Sequence, residues 1–155
     1  MDIKPATKAD LPILATLFLQ VQKIHAEAMP WMFKYPLDRD AVVAWLEELL
    51  DDGSNLFFLG WVQGQPVGYV FCQVFERSDR TFFYASSRLY VHHIGVDEAQ
   101  RGRGYGSTLM QFLEDMAESE GIEEVALDVW AFNQPALEFY RRRKFEVSRY
   151  VMRLR

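Results

Sequence analysis

The chain has 155 residues, of which half are hydrophobic and 15% aromatic, and it carries a net charge of −5. A chain of this length buries roughly 70% of its unfolded surface, which predicts one domain over residues 1–155 and argues against disorder. The acidic balance argues against nucleic acid as a partner, and no apolar run approaches the ~20 residues of a membrane span. We therefore expect a cytoplasmic protein that binds neither nucleic acid nor membrane.

The only cysteine is Cys72, so an internal disulfide and a multi-cysteine zinc site are both excluded. Cys72 lies within an apolar run, and this position favours a small buried side chain over a reactive thiol. We expect no bound metal.

The first third of the chain predicts one short strand and two helices. Residues 2–5 have strand character, and Thr7 with Asp10 has the spacing of a capping box. Apolar side chains then recur at helical spacing until Pro30 ends the helix. These side chains are Leu11, Leu14, Ala15, Phe18, Val21 and His25. A second helix is expected from about Asp38 to Leu50.

The rest of the chain alternates between strand and helix patterns. Residues 55–63 and 66–76 are rich in aromatic and β-branched side chains around Gly64, which predicts a hairpin, and 81–96 predicts a third strand. A helix over 104–120 and a strand over 122–131 follow. Asn133 then caps a helix that has Pro135 in its first turn, and residues 145–155 predict a closing strand. The order β-α-α-β-β-β-α-β-α-β indicates an α+β fold with a mixed sheet.

A glycine-rich loop, RGRGYG from Arg101 to Gly106, joins the third of these strands to the next helix. Free N–H groups at the start of a helix, together with Arg101, Arg103 and the hydroxyls that follow, suit an anionic group such as a phosphate. A solvated glycine turn explains the loop alone equally well. A P-loop would need a lysine that is absent here, and a dinucleotide fingerprint would need a different glycine spacing.

The segment IGVDEAQRGRGYGSTLM, residues 94–110, resembles the acetyl-CoA-binding motif of the GNAT superfamily of N-acetyltransferases. That motif is a strand followed by Arg/Gln-x-x-Gly-x-Gly/Ala and a helix, and its positions fall on Arg101, Gly104 and Gly106. The segment LDVWAFNQPALEFYRRRKF, residues 127–145, resembles the next motif of the family, with Asn133 opening the helix and Tyr140 seven residues later. The two motifs have the order and the spacing of the family.

The resemblance implies a central, mostly antiparallel sheet flanked by helices. Two positions depart from the family pattern. Lys144 stands where the family usually has glycine, and a left-handed lysine there would cost on the order of 1 kcal/mol. Little chain follows Phe145, so there is little room for the last hairpin of the family.

The function implied by the resemblance is direct transfer of an acetyl group from acetyl-CoA to a primary amine. Tyr140 would protonate the departing thiolate. A backbone N–H near a strand bulge, at Val96, would stabilise the developing oxyanion. The residues expected to contact acetyl-CoA are Ile94, Gly95, Val96, Arg101, Gly102, Arg103, Gly104, Tyr105, Gly106, Ser107, Thr108, Asn133 and Tyr140.

The base that takes the proton of the amine is left open between two side chains. Asp128 lies five residues before Asn133, where many GNAT relatives have an acidic residue, although a structural aspartate fits almost as well. His92 and His93 lie on the central strand, and strand alternation predicts that they face opposite sides. We favour His92, which would share a face with Tyr90.

The acceptor side is expected around the connection between the first two helices. Trp31 and Phe33 alternate there between Pro30 and Pro36 and could line an amine pocket, to which Glu76 would contribute from a strand end. A hydrophobic plug over the helices explains the same aromatic residues equally well. The alternative function is a non-catalytic acyl-CoA-binding sensor or regulatory module, and a homodimer is possible because dimers are common in the family.

Overall fold

The computed structural model describes residues 1–154 and contains five strands and four α-helices, with short 3-10 turns at Lys8–Asp10 and Glu98–Gln100. The strands are β1 (Asp2–Pro5), β2 (Asn55–Val62), β3 (Gln65–Arg77), β4 (Ser86–Val96) and β5 (Glu124–Leu127). The helices are α1 (Leu11–Ala28), α2 (Arg39–Asp51), α3 (Tyr105–Ser119) and α4 (Gln134–Arg142).

The five strands form one sheet in the order β1-β2-β3-β4-β5. The first three pairs are antiparallel, and β4 pairs with β5 in parallel. This arrangement confirms the predicted α+β fold and the mostly antiparallel mixed sheet.

Alternating side chains of β3 build the two cores of the molecule. Tyr69 and Phe71 face α1 and α2, while Val70 and Cys72 face α3. Cys72 is fully buried, and burial raises the pKa of its thiol to about 12, which confirms its prediction as a core side chain. Helices therefore cover both faces of the central strands.

Several signals read from short stretches of sequence are confirmed. Asp10 accepts hydrogen bonds from the Thr7 amide at 2.8 Å and from its hydroxyl at 2.7 Å, as expected of a capping box. The second helix, expected from about Asp38, begins at Arg39, and Asp38 caps it by accepting a hydrogen bond from the amide of Asp40 at 2.9 Å. Lys144 has a φ of +67°, so it does adopt the left-handed conformation in which the family prefers glycine.

Three strand boundaries differ from the prediction. The strand expected from Thr81 begins only at Ser86, and β5 ends at Leu127 rather than at residue 131. Residues 145–154 form no strand at all, and residue 155 lies outside the described residues. The residue types in this segment suit a strand, but strand structure also needs a partner backbone, and within residues 1–154 β5 pairs only with β4.

Candidate active site

A cleft opens where β5 leaves β4. The paired residues run from Arg88 with Glu124 to Val91 with Leu127, whereas β4 continues to Val96. Residues 92–96 of β4 therefore keep an edge that no described strand covers on the β5 side. The cleft is the gap beside this open edge, beyond the last pair of β4 with β5.

The glycine-rich loop closes one end of this cleft. Gly102 and Gly104 have φ values of +77° and +85°, a conformation that disfavours any residue with a Cβ. A Cβ added at either position would have no atom within 4 Å, so open space lies in front of this backbone. At Gly106 an added Cβ would be 3.7 Å from Val96, an ordinary contact. The third glycine is therefore not required by the backbone.

The N-terminus of α3 presents unpaired backbone donors beside the loop. The Thr108 amide bonds to the Gly104 carbonyl at 3.1 Å, so the amides of residues 105–107 have no acceptor within the helix. Arg101 Nε donates to the carbonyl of Val96 at 3.2 Å and ties the loop to the end of β4. Free amides at the positive end of a helix dipole suit an anionic group.

Tyr140 comes to this region from α4. It packs in the same apolar cluster as Ile94, Val96 and Leu127, the residues at the cleft ends of β4 and β5. Burial raises the pKa of its phenol to about 12, so the hydroxyl keeps its proton at neutral pH. Asn133 holds the start of α4, since its Oδ1 accepts a hydrogen bond from the Ala136 amide at 3.3 Å.

A β-bulge in β4 changes the expected placement of the two histidines. Phe71 pairs with His93 but the next residue, Cys72, pairs with Val91, so His92 is the extra residue. The His92 ring stacks on Phe71 at 4.6 Å, and the His93 ring stacks on Phe18 of α1 at 4.4 Å. Both histidines therefore face the α1 side, and the prediction of opposite faces is wrong.

The position of the bulge also corrects the expectation for Val96. We expected a bulge near the end of β4, with the amide of Val96 beside it. The bulge lies at His92, four residues earlier. The amides that it displaces are therefore those near His92 and His93.

The two histidines differ in their surroundings. His93 is half-buried, its Nδ1 is hydrogen-bonded to the Tyr69 hydroxyl, and burial lowers its pKa to about 3. His92 is more exposed, its Nε2 lies 3.2 Å from Gln73 Oε1, and partial burial lowers its pKa below 6.5. Burial thus favours the neutral imidazole in both residues, and more strongly in His93.

Asp128 directly follows β5 and is exposed. Burial and a hydrogen bond to Asp128 raise the pKa of Tyr90 to about 12. The ring of Tyr90 lies 4.9 Å from that of His92, which confirms that these two share a face. The structure thus brings Asp128, Tyr90 and His92 together at the α1 side of the cleft.

An aromatic cluster lines the α1 side beyond the histidines. Phe33 stacks on His25 at 5.2 Å and meets Trp130 edge-on at 5.3 Å. His25 also lies 6.0 Å from Phe132 and 6.1 Å from His93. Phe33 therefore lies where the acceptor side was expected.

Two other residues expected on the acceptor side, Trp31 and Glu76, are exposed. Trp31, from the same loop as Phe33, is 61% exposed. Glu76 is exposed near the end of β3, and alternation puts it on the opposite face from Phe75, whose ring packs near Tyr90 and His92. The structure does not bring Glu76 to the aromatic cluster.

Comparison with known proteins identifies the family. The profile of the acetyltransferase (GNAT) family matches residues 18–145. The chain belongs to the GNAT family. An uncharacterised N-acetyltransferase of Methanocaldococcus jannaschii is 34% identical over 121 residues, which cover 78% of this chain and 46% of that protein. The GNAT chain thus spans about half the length of this curated relative.

Solved structures share the fold of this GNAT domain. A mutant of the BH1408 protein from Bacillus halodurans is 19% identical, superposes with a TM-score of 0.92 and is matched over 100% of this chain and 99% of its own. The aminoglycoside N-acetyltransferase AAC(6')-Iy, solved in complex with CoA, is 21% identical with a TM-score of 0.75 over 99% of this chain and 93% of its own.

Sequence patterns missed part of this GNAT site. His93 was set aside in favour of His92, and His25 was interpreted as core packing. The predicted strand over 122–131 included Trp130, and Phe132 was given no role, although aromatic residues just after a strand end are a usable signal for a pocket wall. Within residues 1–154, no helix is long and apolar enough to cross a bilayer, and no cluster of three or more His, Cys, Asp or Glu side chains is placed to hold a metal.

Proposed function

We propose that this GNAT chain transfers an acetyl group from acetyl-CoA to a primary amine. The observation that carries the proposal is the cleft opened by the parting of β4 and β5 beyond Val91 and Leu127. The free amides of α3 lie at one end of the cleft, and the protonated hydroxyl of Tyr140 lies in its apolar wall. The CoA bound to the aminoglycoside acetyltransferase of the same fold supports this choice of co-substrate.

The chain has suitable groups for each part of coenzyme A. The amides of residues 105–107, with Arg101 and Arg103, would hold the diphosphate, and the open space before Gly102 and Gly104 leaves room for it. The uncovered edge of β4 from His92 to Val96 would pair with the amides of the pantetheine arm, as an added strand pairs with a sheet edge. This pairing would orient the thioester carbonyl within the cleft between β4 and β5.

Acetyl transfer requires a neutral amine, and an alkylamine of pKa about 10.4 is neutral in roughly one molecule in 2,500 at pH 7. His92 is the group we propose as proton acceptor, because its lowered pKa keeps the imidazole neutral at pH 7. Asp128, which is hydrogen-bonded to Tyr90, would take the proton onward to solvent. The amine would approach along the aromatic cluster of Phe33 and His25.

The groups described account for each bond and proton in the proposed step. The amine nitrogen forms a bond to the carbonyl carbon while the carbon–sulfur bond breaks. Tyr140 donates its proton to the departing sulfur, and the proton of the amine goes to His92. An amide displaced by the bulge at His92, rather than that of Val96, would donate to the carbonyl oxygen as its charge grows.

The test is a Tyr140→Phe variant assayed for thiol release with acetyl-CoA and a panel of polyamines, amino acids, aminoglycosides and peptide amines. Loss of a general acid lowers kcat by about 100-fold or more, while the Kd of CoA stays within about twofold. Tyr84→Phe is the control, because Tyr84 is 87% exposed on a distant loop. Tight CoA binding by the wild-type chain without turnover on any amine would contradict the proposal and identify an acyl-CoA sensor instead.

The acceptor side has its own test. Trp31→Ala and Phe33→Ala should each raise the KM of the best amine at least threefold and leave the KM of acetyl-CoA unchanged. Glu76→Gln is the matched control on the opposite face of the sheet. Unchanged KM values in both aromatic variants would remove these side chains from the acceptor site.

A further inference from the structure

The imidazole of His93 has one nitrogen bonded to the core and one that is not. Its Nδ1 is hydrogen-bonded to the hydroxyl of Tyr69, a buried side chain of β3. Its Nε2 has no hydrogen-bond partner among residues 1–154. Every buried side-chain nitrogen and oxygen in this range does have a partner. Nε2 is therefore not among the buried atoms, and it faces accessible space.

The hydroxyl of Tyr69 fixes which nitrogen of His93 carries the proton. Burial raises the pKa of this phenol well above its usual value, so the oxygen keeps its hydrogen. Nδ1 is the only partner of that hydroxyl among residues 1–154, and a buried donor without an acceptor is costly. Nδ1 therefore accepts, and in the neutral imidazole Nε2 then carries the proton. Because burial also lowers the pKa of His93 to about 3, Nε2–H stays an uncharged donor.

The open nitrogen of His93 lies beside the aromatic cluster of the acceptor side. The His25 ring meets that of His93 nearly at right angles, with ring centres 6.1 Å apart. His25 in turn lies 5.2 Å from the ring centre of Phe33 and 6.0 Å from that of Phe132. The ring nitrogens of His25 also have no partner among residues 1–154, so they too face accessible space. Burial favours the uncharged form of this imidazole as well.

These groups are complementary to an oxygen and not to a second ammonium. The Nε2–H of His93 can only donate, whereas an ammonium has donors and no lone pair. No described residue fixes the tautomer of His25, so this ring can donate or accept. His92 and His93 are adjacent and face the same side, so an oxygen at His93 lies within a few bonds of an amine at His92. The rings of Phe33 and Phe132 offer apolar surface to the rest of the molecule.

We propose that His93, oriented by Tyr69, selects acceptors that carry a carboxylate or carboxamide beside the amine, on an apolar or aromatic body. The inference rests on the proposed function in one respect only, the placement of the amine at His92. Nε2–H donates to the oxygen of the acceptor. Tyr69 is a positioning residue, because its hydroxyl contacts His93 and not the acceptor. Amines whose second polar group is an ammonium are disfavoured.

Nitrogen NMR of the chain labelled at histidine tests the tautomer directly. The chain has three histidines, so His93→Gln identifies the signals of His93 by their loss. We expect Nε2 to be protonated and Nδ1 to be bare, with no titration between about pH 5 and pH 8. A bare Nε2, or a His93 signal that titrates in this range, would overturn the proposal.

Binding of four matched amines in the presence of saturating CoA tests the selectivity. L-phenylalanine and L-phenylalaninamide carry the oxygen, 2-phenylethylamine lacks it, and 3-phenylpropane-1,2-diamine has an ammonium in its place. Calorimetry should give at least one of the first two a Kd about tenfold below that of 2-phenylethylamine, the gain expected when an otherwise unpaired donor finds a partner. The diamine should bind no better than 2-phenylethylamine. Tight binding of the free acid alone identifies a carboxylate, and tight binding of the amide as well identifies a carbonyl oxygen.

Two substitutions at His93 separate this contact from a structural effect. His93→Leu removes the donor and should weaken the preferred probe about tenfold, while the Kd of 2-phenylethylamine stays within about twofold. His93→Gln is the matched variant, because it keeps an N–H donor and should retain part of the preference.

Either of two binding results would contradict the proposed contact. One is equal weakening of all four probes in His93→Leu, and the other is a wild-type chain that shows no preference for an oxygen-bearing probe. Neither test measures turnover. A chain that binds the probes as expected but transfers no acetyl group would therefore contradict the proposed function and not this inference.

Discussion

Replacing Gly104 by alanine tests whether the backbone of the glycine loop contacts coenzyme A. The φ of +85° at this position costs a residue with a Cβ roughly 1–2 kcal/mol. Alanine also stiffens the unfolded chain, which offsets about 0.4–1 kcal/mol of that cost. The net loss of unfolding free energy is about 1 kcal/mol, equivalent to a drop in Tm of roughly 2–4 °C for a chain of this size.

Gly121 provides a control with the same chemistry. It follows the C-terminal end of α3, its φ is +68°, and an added Cβ there has no atom within 4 Å, as at Gly104. Gly121→Ala should therefore cost a similar free energy of unfolding. The two variants differ only in which end of α3 they alter, so a comparison of their ligand affinities separates binding from stability.

Titration calorimetry with CoA is the deciding measurement. At Gly104 the new methyl group would occupy the open space in front of the glycine loop. The loss of even one charge-assisted hydrogen bond, about 1.5–3 kcal/mol, raises Kd at least tenfold. Gly121→Ala should bind CoA like the wild-type chain. If both variants bind CoA as tightly as the wild-type chain, the placement of the diphosphate at this loop is refuted. If both bind CoA equally weakly, the effect comes from lost stability and not from lost contacts.

Three further predictions concern stability. Lys144→Gly should raise the unfolding free energy by about 0.5–1 kcal/mol in urea titrations, because it relieves a φ of +67°; an unchanged midpoint would contradict this. Arg143 donates hydrogen bonds to both carboxylate oxygens of Glu114, at 3.1 and 2.8 Å, so Arg143→Ala should lower the unfolding free energy by about 1–3 kcal/mol. Arg142→Ala removes only the exposed ion pair with Glu138 and should lower it by less than about 0.5 kcal/mol. Burial lowers the pKa of His93 to about 3, so below pH 6.5 this imidazole binds a proton in the unfolded chain but not in the folded chain. Stability should therefore fall toward acid with a slope approaching about 1.4 kcal/mol per pH unit, and His93→Gln should remove this component.

Signals confined to a few neighbouring residues predicted the structure well. The capping box of Thr7 and Asp10, the cap at Asn133 and the left-handed Lys144 all depend on contacts within one turn of chain. The turn from β4 into α3 is equally local, because positive φ angles at Gly102 and Gly104 reflect sterics within each residue. The element order as far as α4 and the glycine turn that opens α3 could therefore be predicted from the sequence.

The arrangement of the candidate acceptor side could not be predicted in the same way. The bulge that turns His92 and His93 to one face exists only in the register of β4 against β3. The aromatic cluster joins His25 and Phe33 to Trp130, about a hundred residues away in the chain. Sequence alternation assumes an unbroken ladder, and one extra residue in that ladder reverses the face of everything after it.

The C-terminal tail, residues 146–154, shows the same difference between local signals and long-range contacts. Its composition is that of a strand, and residue types alone indicate no more than this preference. Whether it becomes one depends on a backbone partner, and in the single chain the tail lies across a groove from β5 without pairing. Backbone preferences and caps act over a few residues and are written in the sequence, whereas strand register, bulges and the contacts of distant side chains arise only when separate segments meet in the folded chain.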